Sequence, residues 1–227
     1  MNKLQQIPFD LSVRPAHGRD DFLIAPSNID AVGWLDRWPN WPAPMLILSG
    51  PAACGKTHLA AVWKEMSGAC EIDPALLSEM EAEQISAKGE HLLIDGIDLA
   101  IGLREAETCL FHLYNMFKEE QRSLLVTTRL NISAVGFEVA DLASRMRAAP
   151  VAMIHAPDDD LLSSVLVKLF SDRQLQVSVD VVKYILPRIE RSFSAVRSLV
   201  TEIDRQALAQ KRPVSIPLVR DVMMRFD

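Results

Sequence analysis

Met45-Leu46-Ile47-Leu48-Ser49-Gly50-Pro51-Ala52-Ala53-Cys54-Gly55-Lys56-Thr57 is the stretch that decides the fold of this 227-residue chain. Its last eight residues fit G-x-x-x-x-G-K-[ST] at every fixed position, and they sit between an apolar strand, Met45–Ser49, and a helix running from Lys56 to about Met66. Gly50 and Gly55 let the backbone fold around an anion with its N–H groups turned inward. The helix that follows adds the positive end of its dipole. The spacing therefore makes Gly50, Pro51, Ala52, Ala53, Cys54, Gly55, Lys56 and Thr57 a phosphate-binding loop. Lys56 is expected to reach the β- and γ-phosphates and the Thr57 hydroxyl to ligate Mg²⁺. A plain glycine turn with an exposed lysine is the alternative, and the strand–loop–helix context disfavours it. Cys54 inside the loop reads as a small space-filler rather than a redox group.

Downstream, His91-Leu92-Leu93-Ile94-Asp95 is an apolar strand ending in a carboxylate, the pattern of a Walker B aspartate that orders Mg²⁺ through water. ATPases of this kind place a second acid directly afterwards to polarise the attacking water. Gly96 stands there instead. Asp98 is the nearest candidate for a water-activating acid, and it could equally cap a turn, so intrinsic hydrolysis is expected to be slow.

Two more strands, Ser123–Thr127 and Val151–Ile154, alternate with helices expected over Leu76–Ile85 and Glu105–Gln121. A helix starts near Ser27 or Asn28. This alternation predicts an α/β fold whose parallel sheet is flanked by helices. After Ala156-Pro157 the pattern becomes helical only: Asp158–Arg173, Ser178–Ile189, Ser192–Gln210 and Ile216–Phe226. The expected division is an extended N-terminal arm over 1–20, an α/β nucleotide-binding domain over 21–157, and a small α-helical lid domain over 158–227.

Composition excludes other classes. The chain is 49% hydrophobic and 24% charged, at the globular average. No apolar run approaches the roughly 20 residues that span a bilayer, and Met1-Asn2-Lys3-Leu4-Gln5-Gln6 lacks the apolar core of a secretory signal. With Cys54, Cys70 and Cys109 unsuited to a disulfide framework, a soluble, cytoplasmic protein is expected. The net charge of −6 is unevenly distributed: residues 188–227 hold eight Lys/Arg against five Asp/Glu, a balance of +3, and the rest hold 16 against 25, a balance of −9. An acidic body disfavours general duplex binding. No G-x-S-x-G, H-E-x-x-H or C-x-x-C is present. His17, His58, His91, His112 and His155 are scattered, and Trp34, Trp38, Trp41 and Trp63 read as packing residues.

With these motifs in place, the chain resembles the DnaA branch of the AAA+ ATPases. Phe22-Leu23-Ile24-Ala25-Pro26-Ser27-Asn28 resembles the segment that opens the family's ATPase domain, which implies adenine contacts at Leu23 and Ile24. Gly55-Lys56-Thr57-His58-Leu59 is similar to the family's P-loop end and adds His58 to the nucleotide site. Thr127 or Thr128 stands where the family's polar sensor 1 watches the γ-phosphate, Thr128 being the chosen candidate. Asp141-Leu142-Ala143-Ser144-Arg145 resembles the box that carries an arginine finger, here Arg145, acting in trans. Ser194-Ala195-Val196-Arg197 resembles the sensor 2 motif, with Arg197 a γ-phosphate contact in cis.

About 30 residues follow Arg197, where DnaA continues into a helix-turn-helix reader of origin DNA. The chain is therefore most similar to the Hda-type regulators, which have DnaA's motor without that reader. Ser215-Ile216-Pro217-Leu218-Val219 resembles the end of such chains. Gln6-Ile7-Pro8-Phe9-Asp10-Leu11 resembles their clamp-docking peptide, with Gln6, Ile7, Pro8, Phe9 and Leu11 as its contacts, although Ile7, Phe9 and Leu11 depart from the more usual leucines. A glutamine amide with spaced apolar anchors suits an apolar groove.

The resemblance implies a negative regulator of replication initiation. ADP or ATP with Mg²⁺ would set the angle between domain and lid, the arm would dock on the β subunit of the DNA polymerase sliding clamp, and Arg145 would stimulate hydrolysis of ATP held by DnaA. It implies no sequence-specific DNA contact and no membrane, leaves a homodimer open, and places the protein in the cytoplasm at the nucleoid or replisome. Arg147-Ala148-Ala149-Pro150 departs from the usual residues after the finger box. The competing expectations are a DnaA- or helicase-loader-like AAA+ ATPase acting on DNA, and a P-loop kinase, for which no substrate insert is evident.

Overall fold

Alternate residues of the Met45–Ser49 run serve two different cores, and that alternation organises the α/β part of the molecule. In the computed structural model, which describes residues 24–224, β1 (Met45–Ser49) is buried at all five positions. Met45 and Ile47 enter one core, and Leu46 and Leu48 enter another. Side chains of period two on a strand covered on both faces give this continuous apolar run. β2 (Cys70–Ile72), β3 (Leu92–Ile94), β4 (Leu124–Thr128) and β5 (Val151–Met153) complete a sheet in the order β2-β3-β4-β1-β5. All four pairings are parallel.

One face is covered by α3 (Leu76–Glu79), α4 (Ala82–Ser86), α5 (Arg104–Glu119) and α6 (Ala140–Ala148). The other is covered by α1 (Ile29–Asp36) and α2 (Lys56–Ser67). There Trp63 of α2 is fully buried, stacked on Trp41 at 5.5 Å and met edge-on by Trp38 at 6.2 Å. Trp38 Nε1 donates to Ser123 Oγ at 3.0 Å and Trp41 Nε1 to the Trp34 carbonyl at 2.8 Å. The tryptophans are thus packing residues with satisfied handles at two of the indoles.

A third core belongs to α7 (Asp159–Asp172), α8 (Val179–Ile185), α9 (Phe193–Gln210) and α10 (Ile216–Met223). Three of these helices start on cap residues visible in the sequence. Asp158 accepts the Leu161 N–H at 2.8 Å, Ser178 the Val181 N–H at 3.4 Å, and Ser192 the Ala195 N–H at 3.2 Å. The fold is a parallel α/β unit flanked by helices, followed by a small helical unit.

The structure differs from the sequence expectations in four places. The helix expected over Leu76–Ile85 is broken, with Met80 and Glu81 extended between α3 and α4. In one continuous helix Ala82 would stand about 140° round from Leu77, whereas the break turns Leu77, Ala82 and Ile85 into the same core. β2 is an additional strand, short and at the sheet edge, too brief to carry a pattern. Asp141-Leu142-Ala143-Ser144-Arg145 lies on a regular helix, α6, where the sequence reading expects none. The second lid helix ends at Ile185 in a 3₁₀ turn, Leu186–Arg188, that contains Pro187. No described helix is long and apolar enough to cross a membrane.

Candidate functional site

The ends of β1, β3 and β4 meet at the C-terminal edge of the sheet, where parallel α/β folds place their ligands. Gly50 starts the loop there, and its close packing demands glycine: a Cβ would lie 2.3 Å from the Ile154 carbonyl oxygen. Gly55, at φ +106°, takes the N-cap position of α2. It offers no side chain to cap the helix, so the first N–H groups of α2 remain directed at the loop's concavity. Ala53 also has a positive φ of 54°. Lys56 is buried, and its Nζ donates to the Gly50 and Pro51 carbonyls at 2.8 and 2.7 Å. These are bonds an anion in the loop can replace. Cys54 is buried beside it, with Sγ 3.8 Å from Lys56 Nζ. Burial pushes the Cys54 thiol up, and the lysine charge partly opposes the shift. It is held as a protonated space-filler.

Opposite the loop, adjacent residues of β4 face different ways. The Thr127 hydroxyl donates to Asp95 and accepts the Gly96 N–H at 2.9 Å. Thr128, fully buried, donates to Asp98. The Asp98 carboxylate also accepts the Arg129 N–H at 3.0 Å, so it holds the turn after β3 against the end of β4. Gly96 has φ +86° and caps the 3₁₀ turn Ile97–Leu99.

The lid closes the far side. The Phe193 N–H donates to the Ala53 carbonyl at 3.2 Å, and its ring is 3.4 Å from where a Gly55 Cβ would stand. One turn later Arg197 projects, exposed, into the same cleft. The cleft between loop and lid has a volume of about 860 Å³, within the range of small-molecule sites.

Of the residues expected from sequence, Ala53, Gly55, Lys56, Thr57, His58, Asp95, Asp98 and Arg197 line this cleft. Gly50 and Cys54 are buried in the loop's body, and Pro51 and Ala52 are exposed on it. Thr127, not Thr128, is the β4 threonine on the cleft wall. Ile24 packs on the tryptophan-containing core, while Asn28, expected only at a helix start, lines the cleft. Arg145 stands exposed on α6 away from the cleft, its Cζ 5.8 Å from the Tyr114 ring centre. Leu23 and the arm residues Gln6, Ile7, Pro8, Phe9 and Leu11 lie outside the described residues.

Sequence reasoning missed the wall supplied by α7, where Leu161, Val165 and Leu169 face the cleft with Lys168 and Asp172. The signal was available. Leu162, Leu166 and Phe170 form the lid-core stripe, and Leu161, Val165 and Leu169 make a second apolar stripe at the same four-residue spacing, whose Val165 and Leu169 pack against that core at one edge and line the cleft at the other.

The donors fit a nucleotide with a hard cation. A buried lysine, a side-chain-free helix N-terminus, the Thr57 hydroxyl and the Asp95 carboxylate border one cleft, and oxygen donors are what Mg²⁺ takes. No cluster of three or more His, Cys, Asp or Glu that could hold a metal occurs among the described residues. The ion's shell therefore needs oxygens from the phosphates as well.

Residues 159–223 match the family model of the Hda lid domain. An uncharacterized protein of Haemophilus influenzae is 22% identical over 194 residues, covering 79% of this chain and 81% of that protein. Domain III of the replication initiation protein DnaA from Thermotoga maritima superposes with a TM-score of 0.78 at 18% identity, covering 90% of this chain and 94% of that one. AMPPCP-bound DnaA from Aquifex aeolicus superposes with a TM-score of 0.70 at 14% identity, over 83% of this chain and 65% of that one.

Proposed function

We propose that the chain is an AAA+ protein with an Hda-type lid, a DnaA-related regulator of replication initiation whose working chemistry takes place in DnaA; the match of residues 159–223 to the Hda lid model and the DnaA-like fold support this reading. It binds ADP or ATP in the cleft between P-loop and lid. Thr57 and Asp95 would hold Mg²⁺, which would supply neutralisation of the phosphate charge. Lys56 exchanges the Gly50 and Pro51 carbonyls for phosphate oxygens, and the α2 N-terminus supplies backbone donors. Thr57 and Asp95 orient the metal shell, Thr127 holds Asp95, and Arg197 meets the terminal phosphate from the lid. The like-folded Aquifex DnaA with AMPPCP bound supports an adenine nucleotide.

Hydrolysis in this cleft is slow. Gly96 provides no acid after Asp95, and the Asp98 carboxylate is engaged by Thr128 and the Arg129 amide. The observation that carries the trans reading is the position of Arg145, exposed on α6 and outside the chain's own cleft. An arginine so placed is free to neutralise charge on the γ-phosphate of a neighbouring molecule, as arginine fingers do. The arm, through Gln6, Ile7, Pro8, Phe9 and Leu11, docks the protein on the sliding clamp and raises its concentration near DnaA on replicated DNA.

The test mixes the protein, clamp loaded on DNA, and DnaA carrying labelled ATP, and follows conversion to ADP. Wild type is expected to accelerate conversion. Arg145→Ala is expected to lose the stimulation, by roughly 10³-fold or more if the finger behaves as others do. Full stimulation by Arg145→Ala overturns the mechanism.

A further inference from the structure

The helix that carries Arg145 begins without a cap of its own. Val139 occupies the N-cap position of α6 and makes no side-chain cap bond, where Ser, Thr, Asp or Asn would serve. The N-terminus of α6 is held instead from α5. Glu107 is fully buried, and its Oε2 accepts the Val139 N–H at 2.8 Å. Its Oε1 accepts the N–H of Gly102, also at 2.8 Å. Glu107 pairs with no cation among the described residues. Both carboxyl oxygens are spent on backbone donors, one in the loop before α5 and one at the start of α6. Burying a carboxyl for this purpose is costly unless both bonds are kept.

A second contact lies on the same face of α5. Tyr114, seven residues beyond Glu107, places its ring 5.8 Å from the Arg145 guanidinium carbon, within cation–π reach. Seven residues advance α5 by about 10.5 Å, and the six from Val139 to Arg145 advance α6 by about 9 Å. The two spans match, so α5 supports α6 at its first amide and again at the arginine. Between these points Leu142, Ala143 and Met146 of α6 are buried, Leu142 and Met146 within the core that also holds Leu110, Leu113 and Phe117 of α5.

We propose that Glu107 and Tyr114 are positioning residues for Arg145: α5 fixes the height and direction at which the arginine is presented to the nucleotide of a partner molecule. This rests on the finger role proposed above. Glu107→Gln is the sharpest variant, because the amide keeps the shape but turns an NH₂ group toward one of two N–H donors.

The experiment measures the initial rate of DnaA-bound ATP hydrolysis on clamp-loaded DNA over a range of concentrations of the full chain. ADP affinity serves as the control for folding. Glu107→Gln is expected to lower the maximal rate roughly 10- to 100-fold, the penalty of misplacing a catalytic group by about an ångström. The half-saturating concentration and ADP affinity are expected to stay at wild-type values. Tyr114→Leu is expected to lower the maximal rate about two- to fivefold, from the loss of an exposed cation–π contact, and Tyr114→Phe to retain it.

A wild-type maximal rate in Glu107→Gln and Tyr114→Leu overturns the proposal. So does a loss seen only as a higher half-saturating concentration, which signals fewer folded molecules rather than a misplaced arginine. Should Glu107→Gln not fold, Tyr114→Leu against Tyr114→Phe decides alone. Arg145→Ala separates the two levels: if it keeps full stimulation, the finger reading falls, and if it loses stimulation while the α5 variants keep it, only the positioning role falls.

Discussion

His91, one of the scattered histidines, shows how packing can favour one protonation state of an imidazole. Its Nδ1 accepts the Ser123 N–H at 3.0 Å, and its ring meets Trp38 edge-on at 5.3 Å. Burial lowers its pKa below the ordinary 6.5, with the Arg122 charge acting in the same direction and Glu90 against it. The folded protein therefore prefers the neutral ring. The stability this gives is fully present above about pH 6.5 and is lost as pH falls through the lower folded value, because there the unfolded chain binds the proton more readily. The melting temperature is expected to fall as buffer pH drops from 7.5 to 5, and His91→Asn, whose side-chain oxygen can still accept from Ser123, is expected to flatten that fall. Equal slopes for the two proteins would count against it. Other single residues were legible only in part. The sequence reading favours Thr128 over Thr127, and the structure puts Thr127 on the cleft wall instead, a choice that needs the register of β4. It shows Gly96 as a missing acid, but not that φ +86° and the bond to Thr127 fix the backbone in a conformation that disfavours any other residue there.

Among elements, legibility followed local information. The strand–loop–helix of the P-loop and the capped lid helices each carry their signal within a few residues. β2 and the α3–α4 break do not, because both depend on what the rest of the sheet and α5 bury. The first turn of α9 is the most informative element for function. Its Ser192 cap fixes the helix start, Phe193 bonds the Ala53 carbonyl and Arg197 follows four residues on. The Phe193 bond ties the loop after β1 directly to the helix that carries Arg197. Phe193→Ala removes a half-buried ring worth about 1.5 kcal/mol of apolar burial, and an ADP titration is expected to show affinity weakened about tenfold. An unchanged dissociation constant would show that the lid is held by the other helices alone.

At the scale of the whole molecule, the sequence predicts parallel strands and a lid, yet not the order β2-β3-β4-β1-β5, because pairings such as Ser49 with Thr128 join residues far apart in the chain. What it does carry is the charge division, −9 over residues 1–187 against +3 over residues 188–227. An acidic body faces repulsion from duplex phosphates, which agrees with the proposed function, in which the chain reaches the chromosome through another protein. In the proposed function that protein is the sliding clamp, gripped by the sequence around Gln6 and Phe9. A ring threaded on DNA leaves through free ends, and this gives a test that direct phosphate contacts cannot imitate. The chain is expected to be retained on closed circular DNA bearing loaded clamp, and to be released when the circle is cut. Gln6→Ala with Phe9→Ala is expected to abolish retention while ADP affinity stays unchanged. Retention on naked DNA with a steep salt dependence would show instead that Lys/Arg contacts to phosphate do the work, and would favour an ATPase acting on DNA directly.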